Sequence, residues 1–105
     1  MSAIFQVDEH DLPWMVYEKA TAVRVKPLTR HNPDVPPAQY VEYAPGHTDP
    51  LHSHSTDEWF IVTEGQLWLD ESCNGPGSAV FIPRGTEYAV RAGPEGVRYF
   101  RVVLP

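Results

Sequence analysis

At 105 residues the chain has room for one domain and one core. Its eleven prolines exclude long helices, because a mid-helix proline removes a hydrogen bond and clashes with the preceding turn. Its single cysteine, Cys73, excludes an intrachain disulfide. The net charge is −6, and the 8 basic residues are scattered from Lys19 to Arg101. The clustered positive charge that recognises nucleic acid is therefore missing.

Residues 1–16 carry Asp8, Glu9 and Asp11 with neither a basic start nor a continuous apolar run, so they do not read as a signal peptide. No stretch approaches the roughly 20 apolar residues of a membrane span, and a cytoplasmic protein is expected. Residues 1–19 read as an N-terminal arm with a turn at Asp11-Leu12-Pro13-Trp14, and residues 20–105 as the folded domain. The first predicted strand is 20–28. A loop rich in proline follows at 29–37, then a strand at 38–44. Six more strands are predicted at 51–54, 58–63, 66–70, 78–82, 87–92 and 97–104, with Gly or Pro in most of the turns between them. Many short strands at regular spacing predict an all-β sandwich or barrel.

The chemistry concentrates between Gly46 and Glu58. In a strand, residues two apart share a face, so His52 and His54 aim two imidazoles at one point. Glu58 follows Ser55-Thr56-Asp57, a polar run long enough to reverse the chain, which places its carboxylate on the adjacent strand. Two imidazoles and one carboxylate on one face are a common first set of metal ligands that leaves coordination positions open. Phe60 and Val62 share the parity of Glu58 and are predicted to point inward. Tyr40 and Trp68 are candidates for pocket walls or plain core. Trp59 and Ile61 are predicted to face outward as an apolar patch suited to a partner subunit. His47 is a further possible ligand or a solvated turn histidine, while His10 and His31 read as surface residues.

This stretch resembles the first motif of the cupin superfamily: Gly, five residues, His, any, His, three or four residues, Glu, six residues, Gly. Gly46, His52, His54, Glu58 and Gly65 match every fixed position. The second motif is matched at Gly77, Pro83 and Gly85, with Tyr88 at its histidine position and Ala92 at its asparagine position. The resemblance implies a single-domain cupin barrel, a jelly-roll-like double-stranded β-helix, with His52, His54 and Glu58 as ligands of a divalent ion (Fe, Zn, Ni or Mn). Tyr88 would then coordinate a hard ion, stand beside the metal as an acid/base or substrate-orienting group, or leave the site weakly binding. The resemblance also implies a homodimer and a small-molecule substrate or ligand, while the scattered basic residues and the lack of a long apolar run predict no nucleic-acid or membrane partner. Two functions follow from it: a metal-dependent enzyme of dioxygenase, isomerase or cyclase type, or a non-catalytic small-molecule binder or sensor.

Overall fold

The computed structural model describes residues 4–17 and 20–105. The expected arm–domain boundary falls on residues 18 and 19, which lie outside the described residues, as do residues 1–3. Among the described residues there are eight strands and one 3₁₀ turn, Glu9–Asp11. The strands are β1 (Met15–Tyr17), β2 (Ala20–Pro27), β3 (Ala38–Tyr43), β4 (Thr48–His52), β5 (Asp57–Leu69), β6 (Ser72–Asn74), β7 (Ala79–Ile82) and β8 (Tyr88–Leu104). No helix among the described residues is long and apolar enough to cross a membrane.

Two strands organise everything else. β5 and β8 are long, antiparallel and bent, and they pair along most of their length. The first half of β5 and the second half of β8 lie between β7 and the β3-β2-β1 run. Beyond the bends, the second half of β5 and the first half of β8 lie between β6 and β4. The result is two sheets that share their central strands and close on one core, the cupin barrel. Core residues come from both: Val25, Val41, Phe60 and Tyr99 from one, Leu67, Tyr88 and Val90 from the other.

The sequence reading divided β5 and β8 in two because glycine usually marks a reversal. Here Gly65 and Gly96 bend the strand without ending it. The pairing shifts register between Val62 and Glu64 and again between Gly65 and Leu67, as bulges do. These shifts also correct one expectation. Phe60 and Val62 are buried as predicted, but past the bend the inward parity passes to Leu67. Trp68 therefore lies beneath the guanidinium of Arg91 (4.5 Å to the ring centroid) instead of walling a pocket. Tyr40 stands on the outer face too, stacked with Phe100 and Arg98, because the inward residues of β3 are Gln39, Val41 and Tyr43. Trp59 and Ile61 lie on the outer face beside Phe81, all three exposed.

The arm is more ordered than its mixed composition suggested. Met15 and Val16 pair with Val25 and Arg24. Glu9 accepts hydrogen bonds from Lys26 Nζ at 2.9 Å and Arg98 Nη2 at 2.6 Å, and Trp14 stacks on Arg24 and Lys26. The Arg98 and Lys26 bonds pull the Glu9 carboxyl down from 4.5 to about 2. A carboxyl depressed on folding contributes stability above its unfolded value and loses it as pH falls through the folded value. Comparing thermal melts of the wild type and Glu9→Gln from neutrality to pH 2 tests this. The wild type should hold its advantage near neutrality and lose it between about pH 4.5 and about 2. Parallel curves at every pH would show that the clamp does not stabilise the arm.

Candidate functional site

His52 closes β4, directly opposite Tyr88 at the start of β8. Its Nδ1 lies 2.8 Å from the Pro50 carbonyl. A carbonyl only accepts, so Nδ1 carries the proton and the Nε2 lone pair is left for another partner. A second-shell bond of this kind orients metal-binding histidines. His54 was expected on the same strand but lies two residues beyond its end, just before the bend at Ser55-Thr56. The pairing of β4 with β8 stops at His52, opposite Tyr88, after a register shift between Asp49 and His52. The loop is still fixed, because Gly85 N donates to the His54 carbonyl at 2.8 Å. The two imidazole centroids are 5.0 Å apart. Burial lowers the His54 pKa, with Arg101 and His52 adding to the fall against the pull of Glu58, and this favours the neutral ring.

Glu58 is fully buried near the start of β5. Its Oε1 accepts from Arg101 Nη2 and lies 3.8 Å from His54 Nδ1. Its Oε2 is buried with no hydrogen-bond partner. Tyr88, 4% exposed, packs its ring 4.6 Å from His52 and 6.1 Å from His54. Burial, reinforced by the Glu58 charge, raises the phenol well above its usual value, so it stays protonated. The structure thus gathers all four residues singled out in the sequence at one end of the barrel. His47 is engaged elsewhere, with Nε2 2.9 Å from Asp49 Oδ1.

His52, His54 and Tyr88 line a cavity of about 200 Å³ with Tyr43, Tyr99, Phe60 and a set of valines. That is smaller than the roughly 300–1,000 Å³ of drug-sized ligand pockets. A larger cleft of about 370 Å³ runs outside the barrel between the arm and the loop after β2. Its lining is mostly apolar and holds no carboxylate, so the imidazole–carboxylate chemistry belongs to the smaller cavity. The residue that sequence reasoning missed is Arg101. Val97, Tyr99, Arg101 and Val103 share one parity in the last strand, and Val97 and Tyr99 are buried core. A charged residue at an inward position was the available signal.

Among the described residues, no three His, Cys, Asp or Glu side chains already surround one point closely enough to hold an ion. The donor chemistry nonetheless fits a divalent cation. One imidazole nitrogen is free and oriented, a second imidazole is biased to neutral, and a desolvated carboxylate oxygen has no partner. An orphaned buried acceptor of that kind costs about 1–3 kcal/mol, which a cation would offset.

Comparison with known proteins agrees with this architecture. The family model described as a cupin domain matches residues 39–103. The chain belongs to the cupin family. Among solved structures, this cupin is similar to an RmlC-like cupin from Ralstonia eutropha JMP134, with 19% identity and a TM-score of 0.83 over 97% of this chain and 69% of that one. It is also similar to the polyketide cyclase RemF from Streptomyces resistomycificus, with 26% identity and a TM-score of 0.79 over 96% of this chain and 79% of that one. KdgF from Halomonas sp. is a third, at 22% identity and a TM-score of 0.73 over 99% and 96%. No curated protein matches the chain.

Proposed function

We propose that this cupin is a metal-dependent enzyme acting on a small organic molecule held in the barrel, with His52, His54 and Glu58 as the metal ligands. The observation that carries this reading is the fully buried Glu58 carboxylate, with Oε1 3.8 Å from His54 Nδ1 and Oε2 left without a hydrogen-bond partner. The bound ion would act as a Lewis acid that polarises a substrate carbonyl or enolate oxygen. The Pro50 carbonyl holds His52 in the tautomer that exposes Nε2, and Arg101 fixes Glu58 through its other oxygen. Tyr88, protonated and packed on His52, orients a substrate oxygen by donating its phenol hydrogen. The valine and phenylalanine walls exclude water from the reacting end. The likeness to a polyketide cyclase is compatible with cyclase- or isomerase-type chemistry at this site.

Elemental analysis of the tag-free protein tests the proposal beside a His52→Ala, His54→Ala double variant. About one equivalent of iron, nickel, zinc or manganese is expected in the wild type. The variant should lose it and keep its fold, since neither imidazole belongs to the buried core. Metal-free wild type after reconstitution with each ion would sink the reading. A second reading, a ligand-binding cupin that works without metal, is favoured by one observation: Arg101 already neutralises Glu58. Such a protein would keep its ligand in chelator.

A further inference from the structure

Among the described residues that line the cavity, Arg101 is the only permanently charged cation. Its one hydrogen bond runs from Nη2 to Glu58 Oε1. A guanidinium carries five N–H donors in a planar fork, so Nε and Nη1 remain to be satisfied. The side chain is 22% exposed, and it reaches two spaces. It lines the inner cavity, and it also lines a wider groove of about 730 Å³ between residues 27–39 and the end of β8. It therefore stands where a molecule entering the barrel would pass from solvent to the reacting end.

Part of the wall is apolar: Val23, Val25, Val41, Phe60 and Val90 offer only apolar contact, beside the polar groups of Gln39, Tyr43 and Tyr99. Asp49, the second carboxylate of the cavity, is already held by His47. Arg101 is thus the one permanently charged protein group of the described lining that a ligand carboxylate can pair with. A single carboxylate matches the fork geometry of arginine. An apolar body behind it matches the valine wall.

We propose that Arg101 is the anchor for the substrate's carboxylate, and that the barrel takes small carboxylates with an apolar or aromatic body. This deepens the reading of the cavity as a substrate site and rests on it. Glu58 then has two roles: Oε1 holds the guanidinium in place, and Oε2, which has no hydrogen-bond partner, is left for the ion. Anchoring the carboxylate at Arg101 would hold the carbon skeleton between Tyr88 and the valine wall.

The test uses benzoate and benzamide as probes, in isothermal titration calorimetry on the full chain. It is run on the protein as purified and again after dialysis against EDTA. Benzoate should bind the wild type at least about tenfold more tightly than benzamide, the worth of one charge-assisted pair. Arg101→Gln should abolish the preference. Arg101→Lys keeps the charge opposite Glu58 but loses the fork, and should weaken benzoate while retaining some preference, which covers the case in which the Gln variant fails to fold. Both effects should persist in EDTA. Equal binding of benzoate and benzamide by the wild type would overturn the proposal, as would absence of benzoate binding. Benzoate binding that vanishes in EDTA and is indifferent to Arg101 would overturn it as well, because the metal would then be the anchor and the metal reading would stand. Arg101-dependent binding in a protein with no metal would leave the anchor standing and remove the metal.

Discussion

Glu58→Ala is expected to lower the unfolding free energy by about 3–5 kcal/mol, measured by urea denaturation in chelator. The cause is the partner left behind. Arg101 gives its only hydrogen bond to Glu58 and is largely enclosed by the barrel. Removing the carboxylate leaves a mostly enclosed guanidinium, 22% exposed, with no carboxylate to neutralise it. A loss of that size is a large part of the 5–15 kcal/mol that holds a typical domain together. The double variant Glu58→Ala, Arg101→Met should recover much of the loss, because it removes both charges and leaves an apolar side chain in their place. If Glu58→Ala came within about 1 kcal/mol of the wild type, the pair would behave as a surface ion pair, and the view of Glu58 as a desolvated group would fail.

That pair also shows how far the sequence could be read. The positions of His52, His54 and Glu58 were legible because their spacing is local: three residues of chain separate His54 from Glu58, and the turn between them is short. Tyr88 was legible through its place in the second motif. Arg101 was not, because it meets Glu58 across 43 residues of sequence and only strand pairing brings them together. The register of β5 against β8, regular from Asp57 opposite Leu104 to Val62 opposite Tyr99, decides it, and no alternation pattern gives a register. The bulges farther along β5 moved Trp68 to the outer face. Tyr40 was misplaced for a simpler reason: its strand alternates Tyr40 and Glu42 against Val41 and Tyr43, with an aromatic on each side, so hydrophobicity alone could not choose the inner face. His54 was predicted to be strand and lies past its end, yet it still meets His52, since the bend is tied down by Gly85.

The bends themselves give the second large effect. Gly65→Ala is expected to cost about 3 kcal/mol or more of stability, from two sources that add. Gly65 has φ of +75°, a left-handed conformation that costs a side-chain-bearing residue about 1–2 kcal/mol. A Cβ there would also run into the backbone of Gly96, and would stand 2.9 Å from Val97 Cα. Neither neighbour is a flexible side chain, so relief requires that the bend of β8 move away from the bend of β5. Gly96 cannot retreat freely, because its own Cα faces the Tyr43 carbonyl so closely that a Cβ on it would come within 2.7 Å. Three strands are thus stacked backbone to backbone at the level where the two sheets part. Gly46→Ala separates the two sources: φ there is +71° but nothing lies within 4 Å of an added Cβ, so it should cost only the conformational part. Urea denaturation of the two variants side by side is the measurement. A Gly65→Ala loss no greater than that of Gly46→Ala would mean that the bends of β5 and β8 are not packed against each other. The shared-strand account of how the barrel closes over its site would then have to be abandoned.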